Sequence, residues 1–213
     1  MRLLARVTDI DPLPGSKRGR RIWVDGALFR TTSRAAIRML ALDIGSEVDP
    51  ERLTEDCLEA ERRAAWERAI ALLSYHDFST SALASRLSDD GYPPQVVQET
   101  VARLVETGLV DDARYAESVA RTRMRAGFGH RAVRRYLARA GVADDLVEEA
   151  LRSADEDSPD IERIAERLAR PRDDVDRLAA RLVRRGFDVG DSYCAARAVL
   201  GDSADTAADA GDG

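Results

Sequence analysis

The sequence predicts a mainly α-helical protein of tandem three-helix repeats forming an elongated, curved rod, preceded by a small N-terminal β-hairpin and helix element. Three observations predict it. From Glu51 onward apolar residues recur at helical spacing almost throughout. A ten-residue motif appears three times, as LASRLSDDGY (83–92), VRRYLARAGV (133–142) and LAARLVRRGF (178–187), with apolar residues at positions one and five, glycine at nine, and an apolar or aromatic residue at ten. The chain before Glu51 instead carries turn signals and loose alternation.

In chain order, Arg2–Asp9 alternates loosely and Pro12–Gly19 is a turn-rich basic loop. Arg21–Phe29 places Ile22, Val24 and Leu28 around an Asp25-Gly26 turn, a hairpin signal. Ser33 is positioned to cap a short helix near Arg34–Leu42, Gly45 to stop it, and Asp49-Pro50 to start the next. In the first repeat, Trp66, Ile70 and Leu73 mark one helix, Leu83 and Leu87 a second, and Val97, Val101, Leu104 and Val105 a third ending at Gly108. The second repeat places helices near 112–126, 130–140 and 144–152. The third places them at Ile161–Leu168, Asp173–Arg185 and Tyr193–Leu200. In the repeated motif the i, i+4 apolar pair is a one-face stripe, the glycine is a left-handed cap and the next residue packs back. The motif glycines Gly91, Gly141 and Gly186 stand 50 and 45 residues apart, which fits tandem modules that stabilise one another by stacking. The expected division is 1–55 for the hairpin and short helix, 56–110, 111–153 and 154–201 for the three repeats, and 202–213 for a disordered acidic tail.

Composition narrows function by exclusion. The chain of 213 residues is 44% hydrophobic, enough for a core, and has a net charge of −6. It has no apolar signal region and no apolar run of about 18 residues that could span a bilayer, so we expect a soluble, cytoplasmic protein with no membrane partner. Cys57 and Cys194 are isolated, fitting neither a zinc spacing nor a disulfide framework, and His76 and His130 lack metal-ligand spacing. The GFG at 127–129 lacks phosphate-loop spacing and follows no strand, so a helix end and restart is the better reading. Asp89-Asp90, Asp111-Asp112 and Asp144-Asp145 fall where helices begin or turn, and capping accounts for them. The expectation is a monomer that is not an enzyme and takes no cofactor or metal.

One stretch stands apart. Residues 121–139, RTRMRAGFGHRAVRRYLAR, hold seven arginines and no acid, and Glu117 is the sole acid between Tyr115 and Ala143. At about 100° per residue, Arg114, Arg121 and Arg125 fall within about 40° of one another, beside a stripe of Tyr115, Val119 and Ala126. After the glycines, Val133, Tyr136, Leu137 and Ala140 form the apolar side of the next helix, leaving Arg131, Arg134, Arg135 and Arg139 opposite. Both helices thus export charge toward nucleic acid, an acidic protein surface, or both. Phasing places Tyr115 and Tyr136 in the core and Phe128 between glycines, so base stacking is poorly supported. Direct nucleic-acid binding by a transcription regulator, and a scaffold for another acidic partner, stay open as alternatives. The overall acidity and the lack of a base-reading helix disfavour the former.

The stretches ALLSYHDFSTSALASRLSDDGY (71–92) and GLVDDARYAESVARTRMRAGFGHRAVRRYLARAGV (108–142) resemble the RecX family of regulatory proteins. The likeness rests on Gly108, Leu109, Asp111, Asp112, Arg114, Tyr115, Ala116, Arg121, Arg123, Gly127, Gly129, Val133, Arg134, Leu137 and Gly141. It is strong over residues 65–152, moderate in the third repeat, and general in plan at the N-terminus. His130 stands where the family pattern has proline, Ala132 where it has a basic residue, and Tyr136 where it has glutamate. The resemblance implies a repeat protein that binds in the groove of RecA filaments, limits their extension and lowers strand exchange, ATP hydrolysis and co-protease activity. Single- and double-stranded DNA would be met weakly or through the filament. The partner-binding residues expected are Arg114, Arg121, Arg123, Arg125, Arg131, Arg134, Arg135 and Arg139. Asp111, Asp112, Tyr115, Gly127, Gly129 and Gly141 would be structural.

Overall fold

Left-handed turns punctuate the helices, and the ten-residue motif is the clearest case. At each copy the backbone N–H of position ten donates to the carbonyl of position five: Tyr92 to Leu87 (3.3 Å), Val142 to Leu137 (3.1 Å) and Phe187 to Leu182 (3.3 Å). The glycine between them has φ of 94°, 73° and 96° at Gly91, Gly141 and Gly186. This six-to-one bond across a left-handed residue satisfies a carbonyl that the helix end would leave orphaned. The first and fifth positions, Leu83 and Leu87, Val133 and Leu137, Leu178 and Leu182, are all fully buried.

The computed structural model describes residues 4–155 and 159–201; the expected tail at 202–213 lies outside the described residues. The chain divides into two units, Met1–Asp111 and Asp112–Gly213.

The first unit opens with more than a hairpin. Strands β1 (Ala5–Pro12), β2 (Gly19–Val24), β3 (Ala27–Ser33) and β4 (Glu47–Val48) form an antiparallel sheet in the order β3-β2-β1-β4. The β2–β3 turn is the expected one, with φ of 50° at Asp25 and 81° at Gly26, as a two-residue hairpin demands. An irregularity between Ile22 and Trp23 resets the alternation, so Ile22 and Val24 are buried while Leu28 is exposed, unlike the expected grouping. Ser33 caps α1 (Arg34–Leu40), its hydroxyl accepting from the Ala36 N–H at 3.1 Å. That helix stops before Gly45, at Ala41 in a left-handed conformation, because the Leu42 N–H reaches back to the Ile37 carbonyl and both side chains bury.

Asp49 caps α2 (Pro50–Leu73), a single 24-residue helix that runs through the division expected at 55. Its first half packs Leu53 and Cys57 against Val7, Ile22, Val24, Ile37 and Leu42 of the sheet element. Its second half packs Ala64, Ala65, Ala69 and Leu72 against α3 (Thr80–Asp89) and α4 (Pro94–Glu106). Between the halves, fully buried Glu61 takes a two-pronged ion pair from Arg30 of β3, at 2.8 and 2.6 Å.

The second unit holds α5 (Asp112–Arg125), α6 (His130–Arg139) and α7 (Asp144–Asp155), then α8 (Ile161–Leu168), α9 (Val175–Arg184) and α10 (Val189–Leu200). Two cores lie side by side, one around Ala116, Ala120, Val133, Leu137 and Leu151, the other around Ile164, Leu178, Leu182 and Ala196. They are joined where the α9–α10 turn meets the start of α6: the Gly129 N–H donates to the Arg185 carbonyl (2.9 Å) and the Arg131 N–H to Gly186 (3.1 Å). The approach is so close that a Cβ on Gly186 would lie 2.6 Å from the Ala132 Cβ, and one on Gly129 would lie 2.6 Å from the Gly186 carbonyl carbon. Among the described residues no helix is long and apolar enough to cross a membrane.

Candidate partner-binding surface

Helix α5 buries Ala116, Ala120 and Met124, with Tyr115, Val119 and Arg123 half-buried beside them. Arg114, Arg121 and Arg125 are exposed, as their common phase predicts; Ala126, expected in the stripe, is also exposed. Gly127 (φ 83°) ends the helix, with the Phe128 N–H donating to the Arg123 carbonyl, and Gly129 opens α6. Helix α6 buries Val133 and Leu137 and exposes Arg131, Arg134, Arg135 and Arg139. Asp111 precedes α5 and Asp112 is its first residue.

The eight arginines do not form one set. Nine residues from Arg114 is about 180° around the helix, so Arg123 points away from the arginine face. Its guanidinium carbon lies 3.5 Å from the Tyr136 ring centroid and 5.7 Å from that of Phe128, whose ring also carries Arg185 at 5.2 Å. Arg123 is therefore a cation–π strut between α5 and α6. Tyr136 is exposed, not buried in the core as phasing suggested, because covering Arg123 draws its ring to the helix edge. Phe128, expected between the glycines in the open, is half-buried. Burial, and then a hydrogen bond with Tyr136, pushes the Tyr115 hydroxyl up to about 12.

Arg131 and Arg134 carry carboxylates of their own. Arg134 grips Glu148 of α7 through two bonds, at 2.7 and 3.0 Å, and that hydrogen-bonded guanidinium holds the Glu148 carboxyl below the usual range. Arg131 pairs with Asp188 of the α9–α10 turn, and His130 Nε2 lies 2.5 Å from Asp155. No spacing in the sequence pointed to Glu148, Asp188 or Asp155, since two arrive from another helix and Asp188 from the α9–α10 turn. Arg135 and Arg139 are exposed and make no ion pair among the described residues. A cavity of about 400 Å³ opens beside these pairs, lined by Met124, Phe128, Ile164 and Phe187 beneath the His130 and Arg131 rim. Its charged rim is largely balanced. Among the described residues no group of three or more His, Cys, Asp or Glu could hold a metal.

Fold and surface together define a protein of tandem three-helix domains that presents a row of arginines along two consecutive helices. The family model described as "RecX, second three-helix domain" matches residues 111–151, which contain that whole surface, and "RecX, first three-helix domain" matches residues 65–104. A regulatory protein RecX of Chromohalobacter salexigens is 39% identical over 103 residues, covering 48% of this chain and 66% of that one. Another, of Trichlorobacter lovleyi, is 31% identical over 103 residues, covering 48% of this chain and 67% of that one. The chain belongs to the RecX family. Its matches span from 49% to 67% of the relatives' own length. A crystal structure of a regulatory protein RecX, 20% identical, shares the fold with a TM-score of 0.55 over 88% of this chain and 96% of that one.

Proposed function

We propose that this chain is a cytoplasmic, monomeric regulator of the recombinase RecA that binds its nucleoprotein filaments and limits their extension, lowering strand exchange, ATP hydrolysis and co-protease activity without catalysing a reaction. The observation that supports this reading is the exposed arginine row of α5 and α6, which falls wholly inside the better-charged family domain. Arg114, Arg121 and Arg125 along α5, with Arg135 and Arg139 along α6, supply positive potential that draws in an acidic groove and the phosphates it holds. Arg131 and Arg134 join only after releasing their carboxylates. Arg123 shapes the surface and does not touch the partner. DNA alone meets this face weakly; the filament presents protein carboxylates and phosphates together.

The test reverses charge where no ion pair among the described residues is lost, with the Arg135→Glu/Arg139→Glu variant. Filament length on single-stranded DNA is followed as protein is added, with circular dichroism to check helicity. The variant should need about ten times more protein or beyond to limit growth, an effect of roughly 1.4 kcal/mol. Full activity of the variant at the wild-type concentration would remove the α6 arginines from the mechanism.

A further inference from the structure

The first unit holds a second cationic site, outside the arginine run. Five basic side chains line one concavity of about 640 Å³: Lys17 and Arg18 from the β1–β2 loop, Arg34 and Arg38 from α1, and Arg68 from α2, over a floor that includes Ser33 and Tyr92. The carboxylate on its wall, Glu67, is taken by Arg63 at 3.2 Å. Asp90, nearly buried, binds Arg68 at 2.6 Å and draws Arg18 to 3.7 Å. Lys17, Arg34 and Arg38 are exposed and make no ion pair among the described residues.

The site is held in place. The Ser16 hydroxyl bonds the Asp89 carbonyl and accepts from the Gly19 N–H at 2.8 Å, and the Arg34 N–H donates to the Arg18 carbonyl at 2.8 Å. The basic loop is thus pinned at one end to α3 and at the other to α1. Three unpaired cations fixed around one hollow repel each other, and a multiply charged anion relieves that repulsion. A carboxylate is matched by a single guanidinium fork, whereas separate cations from a loop and a helix around an open volume match phosphodiesters following one another along a strand. The lining has no Asn or Gln to read a base edge, and its one aromatic ring, Tyr92, is buried.

We infer that the Lys17–Arg34–Arg38 hollow is a binding site for the phosphodiester backbone of nucleic acid, without sequence preference. It stands independently of the filament reading, using neither α5 nor α6.

Fluorescence anisotropy of a labelled oligothymidylate without recombinase, across a salt series, tests it with the Lys17→Gln/Arg34→Gln/Arg38→Gln variant. Three lost phosphate contacts should reduce the slope of log affinity against log salt by about 2, at about 0.7 per contact. An unchanged slope and affinity overturn the inference. Because Lys17 is the only lysine in the chain, acylation of its amine, read by mass spectrometry, reports the hollow without any mutation. Oligothymidylate should shield it; shielding by polyglutamate and not by oligothymidylate overturns the assignment. Shielding by inorganic phosphate at matched ionic strength assigns recognition to the phosphate group itself, and shielding by the oligomer alone assigns it to the strand. A failure here leaves the α5–α6 reading standing, and failure of the Arg135/Arg139 variant leaves this one standing.

Discussion

Gly91 and Gly186 occupy the same position of the same motif with nearly the same φ, yet each leans on a different kind of neighbour. A Cβ on Gly91 would lie 2.6 Å from the Gly19 Cα and 2.8 Å from the Thr32 carbonyl oxygen, against the sheet; one on Gly186 would meet Ala132, at the start of a helix. In the first unit the turn docks on strands and in the second on a helix N-terminus. The lesson is that the motif encodes a bare, closely approachable backbone and leaves the choice of neighbour to the rest of the unit.

Substitution tests that equivalence. Gly91→Ala and Gly186→Ala should each cost about 4 kcal/mol in urea denaturation, combining a left-handed alanine with a backbone clash. Gly108→Ala is the control: its φ is 70°, but a Cβ there meets nothing within 4 Å, so about 1 kcal/mol is expected. Equal losses at all three would break the docking argument and leave only the turn. Between those extremes, Arg30→Met strands the buried Glu61 carboxylate and should cost about 3 kcal/mol, a penalty specific to the first unit.

Smaller effects sharpen the contrast between pairs inside and outside the cores. Arg62 and Glu99 pair in the open, and the hydrogen-bonded Arg62 holds the Glu99 carboxyl down to about 2. The pair's contribution is present above the ordinary glutamate range and is lost as pH falls toward 2. Arg62→Ala should move the Glu99 titration by NMR up toward the ordinary glutamate range, short of it because the Gln95 amide still donates at 2.9 Å, with little change in melting temperature. Cys57 is fully buried, and burial pushes its thiol up to about 11, while Cys194 is exposed; iodoacetamide should label Cys194 alone until the protein unfolds.

Local signals carried most of the helical plan. The motif fixes its own cap because every atom in it lies within ten residues, Ser33 and Asp49-Pro50 act through bonds spanning two or three residues, and Asp25-Gly26 acts through its own left-handed backbone. Strand β4 escaped because two residues have no periodicity, and the continuity of α2 because each half faces a different core. At the candidate surface, phase placed Arg114, Arg121 and Arg125 correctly in the open. It missed that Arg123 serves Tyr136, and that Arg131 and Arg134 find carboxylates 57 and 14 residues away. Charge counted along the chain is not charge left over after folding, which is also why the basic loop holding Lys17 and Arg18 was not linked to Arg34, Arg38 and Arg68.

The Arg134–Glu148 pair has a consequence for selectivity. An anion arriving at Arg134 must evict a resident that already makes both prongs of the bond, and one arriving at Arg131 must displace Asp188 from a single bond. A lone monovalent ion replaces one partner by another with no net gain. A ligand bearing several negative charges at close spacing evicts both residents in one docking event, so its local concentration does the work that intrinsic affinity cannot. On the proposed reading, the face should therefore respond to densely packed negative charge at lower concentration than to scattered acidic groups.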